Sequence, residues 1–305
     1  MDFEKLRYAF SALPKRFVQP KVCPSCGTRT SSRADWKGFH ELRRCSQCAL
    51  LFRWPTESAT EMEAFYQRQY KQPGLTTDLP DNAALAALLE TGFKGSNKDF
   101  SRVIALFQAI GIAPRARILD FGANWGYGVW QFRQAGYETV GYELSRPRAE
   151  FSERLGVKVY TDWQDVMAAG PFDVAFSSHV LEHTPDPAEA IRHQLSVLQP
   201  NGFLIALFPN GSSAFRIREP QAFHKLWGRV HPVMLDVEFV SGSLRNHMVF
   251  QGSLCDEDLG KLSRWDRRKH EFGNVGTSEL LVVAKVQDDS HGFKKTEPAN
   301  EATTT

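Results

Sequence analysis

The chain has 305 residues, 42% of them hydrophobic, which is enough for one large domain and a small one. It contains neither a run of about 18 apolar residues nor an apolar signal segment at its start, so we expect no membrane span and a cytoplasmic location. The net charge of +2 conceals a basic region, because nine Lys or Arg face only two acids between residues 15 and 54. Such a region suits an anionic partner such as RNA, a nucleotide or a phosphorylated glycan, or it is an ordinary solvated surface.

Within this basic region, two Cys-x-x-Cys pairs, Cys23 with Cys26 and Cys45 with Cys48, are separated by eighteen residues. Four thiolates at this spacing predict a tetrahedral zinc site. A disulfide pair or a redox motif is the alternative. Because four thiolates leave no open coordination position, we expect this zinc to be structural. The fifth cysteine, Cys255, is predicted to be a small buried hydrophobe.

Composition and periodicity divide the chain into four parts. Residues 1–56 are predicted to form an N-terminal helix and the zinc module, and residues 57–95 a helical bridge with helices over 57–70 and 81–90. Residues 96–287 are predicted to form the main domain, whose first helix has Ser96 as its N-cap. Residues 288–305 lack apolar side chains and are predicted to be a disordered tail.

From Arg117 onward, short apolar strands alternate with amphipathic helices. The strands are "RILDF", "ETVGYE", "VKVYTD", "FDVAFSS" and "FLIALFP". This alternation predicts a Rossmann-like, mostly parallel α/β sheet with helices on both faces and ligands at the carboxyl ends of the strands. After Asn210 the alternation breaks, and "NHMVFQGSL" and "SELLVVAKV" are predicted to be the final strands, the second of them a closing edge.

The first of these strands runs directly into the turn "DFGANWGYG". The spacing of Gly122, Gly126 and Gly128 differs from the dinucleotide fingerprint, and the turn lacks the Lys and Ser or Thr of a phosphate-binding loop. Asn tolerates a positive φ angle better than most residues, so Asn124 can hold a turn position that Gly would otherwise take. The turn therefore predicts a ligand other than a dinucleotide lying against bare backbone.

Written as Asp120-x-Gly122-x-Asn124-x-Gly126, the turn resembles the first motif of the class I S-adenosylmethionine-dependent methyltransferases. "FDVAFSSHVLEHTPDP" and "LQPNGFLIALFPN" resemble later motifs of that family, over residues 96–210 in all. The resemblance implies that Glu143 accepts hydrogen bonds from the ribose and that Asp162 contacts the adenine beside Trp163. It also implies a cofactor contact for Ser178, at the end of the fourth strand.

Each of the cofactor residues also has a structural alternative. Asp120 can orient the turn, Glu143 can be a surface acid, and Asp162 can cap a helix. The candidate groups nevertheless match every part of S-adenosylmethionine, which carries an amino acid end, a ribose and an adenine. The bare turn admits the amino acid end, and the carboxylates of Glu143 and Asp162 can accept hydrogen bonds from the ribose and the adenine.

Methyl transfer from a sulfonium is an in-line displacement that needs alignment and, for some acceptors, a base. The base candidates after the fourth strand are His179, the first choice, and His183, with Glu182 between them. His231 and His224 follow in "RIREPQAFHKLWGRVHP". That segment is predicted either to cover the acceptor as an aromatic and cationic lid or to pack as an ordinary loop.

A zinc module ahead of this domain is similar to two known arrangements. One is found in bacterial methyltransferases that act on sugars, glycans and small metabolites, and the other in enzymes that methylate a base of ribosomal RNA. From a different class, the chain could be a noncatalytic zinc-ribbon protein that binds nucleic acid. The sequence favours methyl transfer from S-adenosylmethionine to a small-molecule, sugar or glycan acceptor.

Overall fold

The structure is a computed structural model that describes residues 12–58, 60–61 and 78–287. Most of the helix predicted over 57–70 and the whole tail predicted over 288–305 lie outside the described residues. None of the helices in these ranges has both the length and the apolar composition needed to cross a bilayer.

The strands form two sheets. In chain order they are β1 (Ser31–Lys37), β2 (His40–Cys45), β3 (Leu51–Trp54), β4 (Arg117–Phe121), β5 (Glu138–Tyr142), β6 (Val159–Tyr160), β7 (Phe172–Ser178), β8 (Leu198–Pro209), β9 (Val233–Met234), β10 (Met248–Gly252), β11 (Glu271–Phe272) and β12 (Glu279–Lys285). The larger sheet has the order β11-β10-β12-β8-β7-β4-β5-β6. Strands β4 to β8 are mutually parallel, which confirms the predicted α/β sheet.

The prediction that the final strand closes an edge of the sheet is wrong. Instead of closing an edge, β12 lies inside the sheet, antiparallel to both β8 and β10. Its central residues, Leu280 to Ala284, are completely buried. The apolar run that made "SELLVVAKV" a good strand is a consequence of this burial on both faces.

Helices cover the sheet. In chain order they are α1 (Lys15–Val18), α2 (Asn82–Glu90), α3 (Ser101–Ala109), α4 (Tyr127–Gln134), α5 (Arg146–Phe151), α6 (Trp163–Ala169), α7 (Pro187–Ser196), α8 (Ser213–Arg218), α9 (Pro220–Leu226), α10 (Val237–Ser243) and α11 (Asp256–Leu262), with short 3₁₀ helices at Ser152–Leu155 and Leu181–His183. One helix, α3, begins later than predicted. The Ser96 hydroxyl donates to the Phe93 carbonyl, and Phe100 takes the N-cap position.

The main domain has separate apolar clusters. In one, Phe107 of α3 and Phe132 of α4 pack on Phe176 of β7. Another contains Phe121 and Phe208 at the carboxyl ends of β4 and β8 and also includes residues of the N-terminal module. The carboxyl ends of the central strands therefore lie next to the small module.

The smaller sheet joins the zinc module to the main domain. Its order is β1-β2-β3-β9, and its last strand comes from the segment after α9. Phe52 and Trp54 of β3 share a cluster with Leu181 and Leu235. The two parts of the chain therefore form one packed unit.

Candidate cofactor and acceptor site

The turn after β4 has the backbone conformation that its sequence predicts. Gly122 and Gly126 have φ angles of 85° and 84°, and Asn124 has a φ of 52°, in the left-handed region. The amides of Gly122 and Ala123 both donate to the Tyr142 carbonyl, at 2.8 and 2.9 Å. These bonds fix the turn to the carboxyl end of β5.

Glu143 follows β5 and faces this turn. Its Oε2 accepts from the Asn124 amide at 3.0 Å, and its Oε1 accepts from the Ser145 amide at 2.8 Å. Burial raises the pKa of Glu143, although these amide hydrogen bonds and Arg148 counteract the effect. Each carboxylate oxygen has a second lone pair, so Glu143 can still accept from two further donors.

Asp120 lies at the end of β4 and is almost completely buried, with 4% of its surface exposed. Burial, helped by the charge of Glu143, raises the pKa of Asp120 to about 7. Two carboxyl groups therefore lie beside one bare turn, in a position where a cation would relieve their repulsion.

The turn lies at the point where the strand order reverses, between β4 and β7. Open α/β sheets bind ligands in the crevice at this position. The loop after β7 closes one side of it, because Val180 occupies the space that a Cβ atom on Gly122 would need. Ser178, half-buried at the end of β7, begins the same loop.

His179, the first candidate for a base, has both of its ring nitrogens next to carboxylates. Its Nδ1 lies 3.2 Å from Glu182 Oε1, and its Nε2 lies 2.7 Å from Glu279 Oε1. Burial alone would lower the pKa of His179, but the hydrogen bonds to the two carboxylates raise it to about 10. An imidazole that keeps its proton at neutral pH cannot accept another, so His179 is a bridge between carboxylates.

His183 and His231 lie together, although 47 residues separate them. Their ring centroids are 4.7 Å apart, and Glu182 Oε1 lies 3.9 Å from His183 Nε2. Burial lowers the pKa of His183 to about 4, an effect that the Glu182 charge opposes. The Glu182 side chain is completely buried; burial alone would raise its pKa, but the neighbouring histidines lower it. These three side chains form a polar cluster beside the loop after β7.

The adenine contacts implied by the resemblance have other structural roles here. Asp162 is the N-cap of α6, where one oxygen accepts from the Gln164 amide at 2.8 Å. The Trp163 ring contacts the edges of Phe121 and Tyr142 and stacks on His193, with centroids 5.4 Å apart. Both residues nevertheless lie at the carboxyl side of the sheet.

The segment predicted as an aromatic lid is mainly a packing element. Phe223 and Trp227 are each 1% exposed and pack against Leu42 and Leu51 of the zinc module. Asp35 accepts from Trp227 Nε1 at 2.8 Å and pairs with His224 at the same distance. The aromatic residues of this segment therefore attach it to the small sheet rather than covering an acceptor.

The four predicted zinc ligands converge. The Cys23 and Cys48 sulfurs are 3.6 Å apart, and those of Cys26 and Cys45 are 3.5 Å apart. Tetrahedral zinc with bonds of about 2.3 Å places its sulfurs about 3.8 Å apart. These separations are too long for disulfides. The cysteines are free, and the donor set fits zinc.

The basic residues of the zinc module mostly have partners within the protein. Arg44 bonds Glu238 at 2.6 Å, and Glu41 pairs with three basic side chains. Ion pairs in the described part of the chain involve six of the nine: Lys15, Arg16, Lys21, Arg43, Arg44 and Arg53. These ion pairs favour a structural role for the basic side chains of the module. They argue against an RNA-binding surface there.

Several important contacts join residues that are distant in sequence. The partner of His179 in β12, Glu279, carries no motif, and neither does Asp35, which holds the segment around Trp227. His183 and His231 are both base candidates from the sequence, but no local pattern indicates that their rings lie in contact. A contact of this kind requires the path of the chain.

Residues 95–242, just under half of the chain, match the family described as "Methyltransferase domain". A curated relative, the ubiquinone biosynthesis O-methyltransferase of Ralstonia nicotianae, is 31% identical over 101 residues, which cover 30% of this chain. The chain spans 42% of the length of that relative. Together with the strand order, the family match confirms the predicted fold class.

Solved methyltransferase structures show a more distant likeness. Magnesium protoporphyrin IX methyltransferase from Synechocystis PCC 6803 is 14% identical with a TM-score of 0.47, covering 75% of this chain and all of its own. A S-adenosylmethionine-dependent methyltransferase from Archaeoglobus fulgidus is 18% identical with a TM-score of 0.43, covering 66% of this chain and 99% of its own.

Proposed function

We propose that the protein transfers a methyl group from S-adenosylmethionine to a small-molecule, sugar or glycan acceptor. The observation that carries the proposal is the turn from Asp120 to Gly126 with Glu143 beside it, at the sheet position where α/β folds bind ligands. Asp120 and Glu143 suit the ammonium group and the ribose hydroxyls of the cofactor. Asp162 and Trp163 are the adenine-side candidates, and Ser178 the candidate at the end of β7.

The acceptor is expected on the side of the turn that the loop after β7 closes. There Glu182, His183 and His231 present polar atoms, and His179 holds Glu182 in place. Methyl transfer mainly requires alignment of the acceptor with the sulfonium, and a cluster of fixed polar groups supplies it. The name of the Ralstonia relative, a ubiquinone biosynthesis O-methyltransferase, is in keeping with a small-molecule acceptor.

We also propose that the four cysteines bind a structural zinc ion. The fit of their sulfur positions to a tetrahedron supports this proposal. Metal analysis of the purified protein is expected to give one zinc per chain, lost in Cys26→Ser. The RNA-methyltransferase alternative has less support, because the basic side chains of the module are largely engaged in ion pairs.

Calorimetric titration with S-adenosylmethionine tests the cofactor assignment. Glu143→Gln is expected to weaken binding by about 1.5–3 kcal/mol, the usual value of hydrogen bonds to a charged group. The matched control is Glu138→Gln at the exposed start of the same strand, which is expected to bind as the wild type does. Equal affinity of all three proteins would remove Glu143 from the cofactor site.

The acceptor class is tested by transfer of a labelled methyl group. The panel comprises hydroxylated aromatics, sugars and RNA, each at the same concentration. Transfer to small hydroxylated compounds supports the proposal. Transfer to RNA alone would replace it with the RNA alternative.

A further inference from the structure

We propose that Glu182, His183 and His231 form a second metal site, for a divalent transition-metal ion, separate from the four-cysteine site. One donor atom from each of the three side chains lies within 4.8 Å of the other two. Two imidazoles and one carboxylate are a donor set that binds Fe²⁺, Mn²⁺, Co²⁺ or Zn²⁺. This set contains no thiolate, which distinguishes it chemically from the zinc module.

The orientation of both imidazoles is fixed by backbone carbonyl groups. His183 Nδ1 lies 2.8 Å from the Val230 oxygen, and His231 Nδ1 lies 2.6 Å from the Leu226 oxygen. A carbonyl oxygen only accepts, so each Nδ1 donates to it, and in the neutral form of either ring the lone pair lies on Nε2. Metal-binding histidines are held in this way, with the second ring nitrogen donating to a carbonyl or carboxylate.

The carboxylate provides a second and independent observation. Glu182 is completely buried, and its Oε2 has no hydrogen-bond partner among the described residues. Burial of an unpaired carboxylate oxygen is unfavourable, and a bound cation removes the cost. Since donors around one ion at about 2.1 Å lie about 3.4 Å apart in a tetrahedron, binding requires side-chain movements of only about an ångström.

The proposed metal site lies close to the candidate cofactor turn, and this position indicates a role in binding the acceptor. Val180, two residues before Glu182, contacts Gly122 of the candidate cofactor turn. Three protein ligands leave open positions that an acceptor oxygen can occupy. The acceptor class is therefore a compound with a hydroxyl group next to a second oxygen, able to chelate the ion.

A metal ion held by Glu182, His183 and His231 would lower the pKa of such a hydroxyl, and the proton would pass to water. The acceptor oxygen then bonds to the methyl carbon, and the carbon–sulfur electron pair moves to sulfur, leaving a thioether. This role rests on the proposed function, whereas the metal site itself does not.

Titration with Mn²⁺ tests the site, because manganese prefers oxygen and nitrogen donors over the thiolates of the zinc module. The full chain carrying one equivalent of zinc, which the four thiolates bind first, is titrated while the electron paramagnetic resonance signal of free Mn²⁺ is followed. One Mn²⁺ per chain is expected. Glu182→Gln and His231→Ala are each expected to bind at least about tenfold more weakly, the minimum seen when even an outer partner of a metal ligand is lost.

The control is His270→Ala, an exposed histidine outside the segment around His231, and it is expected to bind as the wild type does. Retained zinc in each variant shows that the module is still folded. If Glu182→Gln does not fold, His231→Ala decides the outcome. No bound Mn²⁺ in the wild type, or equal binding by the folded variants, overturns the proposal. Titration of the same samples with S-adenosylmethionine shows whether the cofactor still binds. It therefore distinguishes the absence of this metal site from a failure of the proposed function.

Discussion

Asp120→Asn is expected to stabilise the cofactor-free protein and to weaken its binding of cofactor. The folded protein raises the pKa of Asp120 from 3.8 to about 7, mainly by burial. At about 1.4 kcal/mol per pKa unit, the ionised carboxylate destabilises the folded state by about 4 kcal/mol at pH 8. The neutral amide has the same shape and carries no such cost.

The sign of the pH dependence follows from the raised pKa. The stability cost of Asp120 is absent below pH 3.8, grows as the pH rises, and is complete above about pH 7. The advantage of Asp120→Asn is therefore expected to increase from about 2 kcal/mol at pH 5.5 to about 4 kcal/mol at pH 8. These values are upper limits, because the folded state can relax around the charge.

Urea unfolding of both proteins between pH 5.5 and 8.5 measures this difference in the free energy of unfolding. Asp165→Asn, an exposed acid in the first turn of α6, is the control and is expected to show a small and pH-independent change. Added S-adenosylmethionine is expected to stabilise the wild type more than Asp120→Asn, since the amide cannot pair with an ammonium group. A difference that does not grow with pH would refute the electrostatic account of Asp120.

Three further predictions concern other parts of the molecule. Gly122→Ala is expected to weaken cofactor binding, because the new methyl group meets Val180 and φ is positive; adding Val180→Ala is expected to restore part of the affinity in a calorimetric titration. Cys26→Ser is expected to lower the melting temperature measured by calorimetry, with loss of zinc, whereas an unchanged melting temperature would contradict a structural site. Trp227→Phe is expected to cost about 1–3 kcal/mol in urea unfolding, because Asp35 loses a hydrogen bond from a buried donor.

The central sheet could be predicted because each of its signals is local. Apolar strands, Gly-rich turns and helix caps act over a few residues, so β4 to β8 and the turn at Asn124 follow from the sequence. The position of β12 could not be predicted, because its neighbours β8 and β10 are chosen by tertiary packing. The role of His179 depends on Glu279, a hundred residues further along the chain.

The packing of the segment around Trp227 also could not be predicted from the sequence. "RIREPQAFHKLWGRVHP" contains the residue types of both a lid and a core, and composition does not distinguish them. What decides between them is β3, which pairs with β9 and places Phe223 and Trp227 against the zinc module. A pairing between residues 51 and 234 has no local signature.

This pairing also connects the four-cysteine module to the proposed acceptor side of the site. The carbonyl groups that orient His183 and His231 belong to Val230 and Leu226, in the segment that runs from the last residue of α9 to β9. That segment is held on one side by Asp35 of β1 and on the other by the pairing of β9 with β3. The proposed zinc ion would fix the loops that flank these strands, so we expect the four-cysteine module to support the proposed acceptor side of the site.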